Sequence, residues 1–251
     1  MCYHASITVS KDVLGLRFNA KFNPAQEYIP HYHANGFANP GLPIITNEHP
    51  DEISIAEWAL IPHFARTDAD KKKYRLGTLN AKAETAFELS SFKKPIREKR
   101  CIILADGIYE SMTVDGKKYP FYIYRKDKQP FAFAGIYSNW KSPDGHWIQS
   151  FSIMTTTPNA LFSIIHNEKQ RMPVILPQEK ERVWLRKDLL PEEINDLMVP
   201  LENGLFTAHP VDKRLNQAKV FTDEPWIQEA CKYEELAHLN MEKLFAEADA
   251  I

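Results

Sequence analysis

The chain has 251 residues, 44% of them hydrophobic and 25% charged, with a formal net charge of −2 at pH 7, which is the composition of a globular protein with a sizeable core. No apolar run approaches the ~20 residues that span a bilayer, and the opening MCYHASITVS lacks the basic and apolar segments of a secretory signal. Three widely spaced cysteines, none in a C-x-x-C pair, favour the reducing cytoplasm over a disulfide framework or a zinc site.

The secondary structure predicted along the chain is dominated by short strands. Runs rich in β-branched and aromatic residues, bounded by Pro, Gly or Asp, predict strands at 5–9, 53–61, 100–105, 120–124, 131–137, 148–155 and 173–176. Caps and apolar spacing predict helices at 80–88, 158–165 and 191–198, and an amphipathic, acidic C-terminal helix at about 224–249. The stretch 19–47, with several Pro, Asn and His residues, predicts a long irregular excursion.

The order of these elements predicts an α+β fold. Strands outnumber helices and do not alternate with them as βαβ units would. We therefore expect a curved, partly barrel-like mixed β-sheet with peripheral helices. No break in composition marks a linker, so we expect a single domain over 1–251 and a monomer.

Charge is unevenly distributed. Residues 66–100 contain eleven Lys or Arg against five Asp or Glu, a local balance of +6, whereas residues 222–251 have a balance of −6. A local basic patch can bind phosphates even when the total charge is close to zero. Solvated loops and helix faces are the alternative, which charge patterning alone favours.

Cys2 directly follows Met1. Methionine aminopeptidases remove Met1 when the second residue is small, which would leave Cys2 with an α-amine beside its thiol. A terminal amine has a pKa of about 7.7–8.0, so a useful fraction is neutral and nucleophilic near pH 7. It can attack an aldehyde to give a Schiff base, which the thiol can close into a thiazolidine. The alternative is that residue 2 is merely small.

Two segments before residue 90 carry further candidates. WALIPHFA at 58–65 predicts a buried strand that ends in a proline turn and contains Trp58 and Pro62. In LNAKAETAFE at 79–88, Asn80 could position a substrate and Lys82 could contact a phosphate. A loop followed by an ordinary helical turn explains the same residues.

Three later segments combine polar residues with apolar runs or basic charge. RCIILADGIYES at 100–111 puts Glu110 just past a buried strand, where a carboxylate would be held rigidly. TTTPNALFSIIHNEKQRMPVIL at 155–176 ends an apolar helix with His166, whose imidazole titrates near neutral pH and can shuttle protons. HPVDKRLNQAK at 209–219 is polar and basic. A solvent-facing glutamate, a structural histidine and a surface loop are the respective alternatives.

Taken in order, these segments resemble the SRAP family, the SOS-response-associated peptidases, which shield abasic DNA sites. The matching segments run from Cys2 to about residue 216 and are WALIP, NAKAET, ADGIYE, FAFAGIY, IIH…RMPVIL and HPV…LN. An ordered set this long is far more specific than a single motif. The resemblance implies an SRAP-like fold that needs no cofactor or metal.

The resemblance also implies roles for individual residues. Its catalytic positions fall on Cys2, Asn80, Glu110 and His166. Its DNA-binding positions fall on His4, Trp58, Pro62, Lys82, Arg171, Met172 and Pro173.

The chain departs from the family pattern where DNA docks rather than at the reacting groups. Tyr3 and His4 replace the usual glycine and arginine, and Lys82 replaces an arginine, which removes the bidentate fork of a guanidinium. Ser111 stands where tryptophan is expected, and a few extra residues separate His166 from the RMP segment.

The function implied is that of an abasic-site sensor in the DNA damage response, which forms a thiazolidine crosslink to single-stranded DNA through Cys2. An ionised Glu110 would accept the proton of the amine, and His166 would protonate the sugar oxygen. Two alternatives stay open. One is a cysteine peptidase that cleaves its own Met1–Cys2 bond, and the other is a non-covalent single-stranded DNA-binding module.

Overall fold

The computed structural model describes residues 2–250, apart from the side chain of residue 242. Its strands are β1 His4–Ile7, β2 Lys21–Phe22, β3 His31–Asn35, β4 Gly41–Thr46, β5 Glu52–Trp58, β6 Asn80–Lys82, β7 Arg100–Ala105, β8 Gly107–Val114, β9 Lys117–Arg125, β10 Phe131–Lys141, β11 Trp147–Thr156, β12 Met172–Pro173, β13 Ile175–Leu176 and β14 Phe206–Pro210. Its α-helices are α1 Lys11–Phe18, α2 Asp68–Arg75, α3 Pro95–Glu98, α4 Ala160–Ile165, α5 Gln178–Trp184, α6 Pro191–Asp196 and α7 Met241–Asp249.

Five strands close into a barrel. They follow the order β11-β10-β7-β4-β5, and the circle is completed by a parallel pairing of β5 with β11, in which Trp58 lies opposite Phe151. The neighbouring pairs within the circle are antiparallel, so the sheet is mixed. Gly135 permits close packing on β10, because a Cβ there would lie 2.1 Å from a side-chain carbon of Ile103. The predicted α+β fold with a barrel-like mixed sheet is confirmed.

A second sheet brings the N-terminal strand to the middle of the chain. Its five antiparallel strands have the order β14-β9-β8-β1-β3. Only Asp106 separates barrel strand β7 from β8 in this second sheet. The Asp106 carboxylate accepts hydrogen bonds from Ser6 Oγ (2.5 Å) and from the backbone N of Thr8 (2.5 Å). This junction fixes β1 beside β8 and therefore fixes the position of residue 2.

Two local predictions are wrong because tertiary pairing overrides local pattern. The helix predicted at 80–88 is instead strand β6 followed by a 3-10 turn at Ala83–Thr85, since β6 pairs in parallel with β11. The excursion predicted at 19–47 contains three strands and a 3-10 turn. This stretch forms strands because it pairs with distant segments; in β2, for example, Lys21 lies opposite Glu52 of β5.

The helix predicted at about 224–249 is wrong over most of its length. The structure has 3-10 turns at Pro225–Gln228 and Glu234–Leu236, and helix α7 only at Met241–Asp249. Asn240 caps α7 by accepting a hydrogen bond from the backbone N of Lys243 (3.0 Å). The apolar residues at helical spacing pack against different clusters, because Trp226 packs against the cluster of Val211 whereas Tyr233 and Met241 pack against the main core. Within residues 2–250 no helix is long and apolar enough to cross a membrane.

Candidate functional site

Cys2 lies just before β1 and is almost completely buried, with 2% of its surface exposed. Asn80, the first residue of β6, donates a hydrogen bond from Nδ2 to the Cys2 carbonyl oxygen (2.8 Å). The parallel pairing of β6 with β11 sets Asn80 opposite Ile153 and so fixes this contact. The other polar atom of the amide, Asn80 Oδ1, is buried and accepts no hydrogen bond from residues 2–250. Asn80 therefore holds the backbone of Cys2 while keeping one acceptor for another donor.

Glu110 faces the thiol of Cys2 from β8. The antiparallel pairing of β1 with β8 puts His4 opposite Tyr109, so the residues before His4 run alongside Glu110. Burial raises the pKa of Glu110 to about 7, an effect that a hydrogen bond with the Cys2 thiol opposes. Its Oε1 atom is buried and accepts no hydrogen bond from the described part of the chain. Near neutral pH, Glu110 is therefore present both as the carboxylate and as the carboxylic acid.

The thiol of Cys2 is held in its protonated form. Burial raises its pKa well above the usual value, and the negative charge of Glu110 adds to the effect. A thiolate that attacks by itself needs the opposite environment, with a nearby cation that lowers the pKa. In this site the thiol becomes nucleophilic only when another group takes its proton.

His166 caps the C-terminal end of helix α4, whose other end is capped by the side chain of Asn159. Its Nδ1 lies 2.8 Å from the carbonyl oxygen of Arg171 and 3.6 Å from Oε2 of Glu110. Since a carbonyl oxygen can only accept, the neutral ring carries its proton on Nδ1. Burial lowers the pKa of His166 to about 4. This direction runs against the expectation that His166 titrates near neutral pH, because burial disfavours the imidazolium.

Four of the DNA contacts expected from the sequence have buried side chains: Trp58, Pro62, Met172 and Pro173. They present no surface to DNA in this structure. Trp58 instead donates a hydrogen bond from its indole Nε1 to the carbonyl oxygen of Leu79 (2.9 Å), directly before Asn80. Met172 accepts from the backbone N of Asn159 (3.2 Å) at the start of α4. These two residues support catalytic candidates rather than a binding surface.

The other three expected DNA contacts differ in their freedom to bind a phosphate. Lys82, at the end of β6, is exposed. Arg171 is committed to other partners, because its guanidinium forms a forked ion pair with Glu84 and donates to the carbonyl oxygen of Thr155 (2.7 Å). His4 is half-buried, and burial lowers its pKa to about 3, with the neighbouring His33 adding to the effect. His4 is therefore neutral where the family usually has an arginine.

The basic stretch 66–100 is less basic in three dimensions than in sequence. Arg100 is fully buried among backbone carbonyl groups. Arg75 pairs with Glu57, and Lys99 pairs with Glu48. Counting charges along the chain therefore overstated the surface available to phosphates. Lys82 lies on β6 with Asn80, whose side chain contacts Cys2.

Two aromatic residues beside Cys2 were missed by motif analysis. The rings of Tyr3 and Phe37 lie 4.8 Å apart, and 59% of Phe37 is exposed. Tyr3 carried a signal, since it directly follows Cys2 and replaces a glycine of the family pattern. Phe37 carried none, because it falls in the stretch predicted to be irregular.

The described part of the chain offers no set of side chains suited to binding a metal ion. Within residues 2–250 there is no group of three or more His, Cys, Asp or Glu side chains that could hold a metal ion. The residues that surround Cys2 offer one carboxyl group, one amide and one imidazole. Their arrangement is suited to moving protons around a nucleophile.

Comparison with known proteins gives matches over most of the chain. The family described as SOS response associated peptidase (SRAP) matches residues 1–218. The chain is 37% identical over 222 residues to the abasic site processing protein YoqW of Bacillus subtilis, covering 87% of this chain and 96% of that protein. It is 30% identical to the mouse abasic site processing protein HMCES, covering 69% of this chain and 56% of that protein.

Solved structures resemble the fold closely. A crystal structure of a Bacteroides thetaiotaomicron protein superimposes with a TM-score of 0.85 at 36% identity, covering 92% of this chain and all of that one. A second, from Bordetella bronchiseptica, gives a TM-score of 0.73 at 26% identity, covering 84% of this chain and all of that one.

Proposed function

Since the chain belongs to the SOS response associated peptidase (SRAP) family, we propose that it processes abasic sites by capturing them covalently in single-stranded DNA through Cys2. The observation that carries this proposal is the environment of Cys2. Its thiol is protonated, it faces a carboxyl group with a pKa of about 7, and two buried acceptors beside it have no donor within residues 2–250. We further propose that the protein acts as a monomeric single domain in the cytoplasm.

The reacting group is the α-amine of Cys2, which becomes available when Met1 is removed. Met1 lies outside the described residues, so its removal is part of the proposal. The amine attacks C1′ of the ring-opened sugar and forms a C–N bond while the C=O electron pair moves to oxygen, which takes up a first proton from the nitrogen and becomes a hydroxyl. Glu110 accepts a proton from that nitrogen and returns it to the hydroxyl that leaves as water, which gives a Schiff base.

Ring closure uses the same carboxylate a second time. The Cys2 sulfur attacks C1′ and forms a C–S bond while the C=N electron pair moves to nitrogen. The thiol proton passes through Glu110 to that nitrogen, so the step releases nothing. A pKa of about 7 suits this double use, because the group gives and takes protons with equal ease at neutral pH. The thiazolidine withdraws the Schiff base from β-elimination and strand cleavage.

Neutral His166 and Asn80 would position rather than titrate. His166 lies 3.6 Å from Glu110 and is anchored by the Arg171 carbonyl, so it can orient the carboxyl group. Asn80 Oδ1 can accept a hydrogen bond from a sugar hydroxyl or from the reacting nitrogen. Exposed Lys82 would bind a flanking phosphate.

The protonation states of Cys2 and His166 do not favour the peptidase alternative. A cysteine peptidase relies on a thiolate paired with an imidazolium, whereas burial raises the pKa of Cys2 and lowers that of His166. A purely non-covalent module would have no use for a carboxyl group with a near-neutral pKa against a buried cysteine.

The test compares wild type, Cys2→Ala and Cys2→Ser on an abasic single-stranded oligonucleotide, with intact mass used to verify loss of Met1. Wild type should give a heat-stable adduct whose mass equals protein plus DNA minus one water. Cys2→Ala should keep an amine but give only an adduct that must be trapped by borohydride, and Cys2→Ser should resemble Cys2→Ala. A heat-stable adduct with Cys2→Ala would refute the proposal.

A further inference from the structure

Tyr3, which directly follows Cys2, forms an aromatic pair with Phe37. Tyr3 is half-buried, whereas Phe37 is 59% exposed, and their ring centroids lie 4.8 Å apart with the planes tilted by 39°. A large exposed ring is costly to leave in water, and each aromatic face can stack on another flat group.

The backbone holds this pair rigidly. The backbone N of Gly36 donates to the carbonyl oxygen of Tyr3 (2.8 Å), which ties the 3-10 turn of Phe37 to the strand of Cys2. The side chain of Asn35 accepts from the backbone N of Phe37 (3.0 Å) and caps that turn. A Cβ on Gly36 would meet the side chains of Leu79 at 3.0 Å and Trp58 at 3.2 Å, so the turn packs against the segment that precedes Asn80.

The pair is also coupled to the reacting groups. The pKa of Tyr3 is raised by burial, with additional contributions from Glu110 and Cys2, which places its phenol within their electrostatic reach. The two rings therefore connect the neighbourhood of Cys2, at half-buried Tyr3, to solvent, at exposed Phe37. Lys82, two residues beyond Asn80 on β6, supplies a cation on the same site strands. An aromatic face and a phosphate-binding cation are the two elements with which proteins hold single-stranded nucleic acid.

We propose that Tyr3 and Phe37 form a stacking site for the nucleobase adjacent to the abasic residue, an inference that rests on the proposed function and deepens it. An abasic sugar has no base of its own, so the neighbouring base is the flat group closest to the reacting carbon. Stacking of that base on Phe37 holds the sugar over Cys2. The preferred substrate is then an abasic residue with at least one intact neighbour, and purines, with their larger faces, are held more tightly than pyrimidines.

The experiment measures binding and capture separately. Binding is followed by fluorescence anisotropy with single-stranded oligonucleotides that contain a tetrahydrofuran residue, which mimics the abasic sugar but has no aldehyde. The nucleotides on its 5′ side, 3′ side or both sides carry adenine or are themselves tetrahydrofuran. Capture is followed as single-turnover adduct formation on the matching abasic oligonucleotides. The proteins are wild type, Phe37→Ala, Phe37→Trp and Trp147→Ala, the last removing an exposed ring at the far end of β11.

Stacking on an aromatic side chain changes affinity by about 5- to 150-fold per base. Phe37→Ala should lose an affinity of that order for adenine-flanked sites and lose nothing when the neighbouring bases are absent. At subsaturating DNA its rate of adduct formation should fall in the same proportion for adenine-flanked sites. Phe37→Trp should retain the preference, and Trp147→Ala should match wild type.

Equal affinity of wild type and Phe37→Ala for adenine-flanked sites would overturn the stacking site. So would an equal loss with and without neighbouring bases. Failure of the proposed function gives a different pattern, because wild type would then form no heat-stable adduct while the tetrahydrofuran binding still reports on Phe37.

Discussion

Two buried polar regions of this protein differ in how completely their hydrogen bonds are satisfied. Arg100 is fully buried, and its guanidinium donates to four backbone carbonyl groups, those of Ile96, Arg97, Trp184 and Arg186. Around Cys2, in contrast, Asn80 Oδ1 and Glu110 Oε1 are buried without a donor in the described chain. An unsatisfied buried group costs about 1–3 kcal/mol. The first region therefore stabilises the fold, whereas the second costs stability and leaves acceptors that, under the proposed function, a substrate can use.

The largest expected effect concerns Glu110. Glu110→Gln should slow adduct formation by about 10²–10⁴-fold, because an amide cannot relay protons. Quenched single-turnover assays measure this rate. The matched control is Glu181→Gln, since Glu181 is also buried with a raised pKa, but both of its oxygens accept from Arg17. A comparable rate loss in both variants would show that Glu110 has no special role compared with a buried carboxylate that is fully hydrogen-bonded.

Removing the buried guanidinium of Arg100 should change the stability of the fold. Arg100→Met should lower the free energy of unfolding by about 3 kcal/mol or more, because several buried carbonyl groups lose their donor. Urea denaturation measures the change. At a temperature where the variant is still folded, its rate of adduct formation should stay close to wild type. If Arg100→Met unfolds with the same free energy as wild type, the hydrogen bonds of Arg100 make no net contribution to stability.

The pH profile separates the two titratable groups of the site. Glu110 is ionised above its pKa of about 7, so as pH drops below 7 its protonation should add up to tenfold per unit to the fall in rate that titration of the amine already causes. His166 stays neutral down to about pH 4 and should add no inflection near 7. His166→Asn should therefore retain the inflection and Glu110→Gln should lose it, leaving only the titration of the amine. An inflection near 7 that vanishes with His166→Asn would reverse this assignment.

The smallest expected effect concerns surface charge. Lys82→Ala should reduce the slope of log affinity against log salt by about 0.7, one phosphate contact on single-stranded DNA. Lys94→Ala is the control, because Lys94 belongs to the same basic stretch but lies 3.9 Å from Glu98, on α3. Identical slopes for both variants would show that net charge, rather than position, governs binding.

The sequence predicted which side chains lie together around Cys2 better than it predicted their electrostatics. Cys2 contacts Asn80 and Glu110, and His166 lies beside Glu110, as the order of the motifs implied. Their roles in proton transfer were assigned from ordinary pKa values. Burial raises the pKa of Glu110 and lowers that of His166, and the degree of burial depends on the whole fold. These directions favour the carboxyl group over the imidazole as the group that titrates near neutral pH.

Local pattern also failed where long-range contacts decide. The apolar spacing in 80–88 suits a helix, yet β11 draws Asn80 into a strand. Arg100 looked like part of a basic surface, but the chain around α5 wraps its guanidinium in carbonyl groups. Trp58 and Met172 lie in motifs that bind DNA in the family pattern, and here they hold neighbours of the site in place. Each of these outcomes involves a partner well separated in sequence.

The pairing of β1 with β8 has a consequence for biosynthesis. Glu110 lies 108 residues and His166 164 residues beyond Cys2, so the pocket cannot form until most of the chain has been made. At ~5–20 residues per second, the interval between the synthesis of Cys2 and of His166 lasts roughly 8–30 s. The N-terminal segment is accessible during that interval, whereas folding leaves only 2% of Cys2 exposed. Under the proposed function, removal of Met1 by an external aminopeptidase is therefore a cotranslational event, and the rate of translation helps to decide what fraction of molecules acquires a reactive amine.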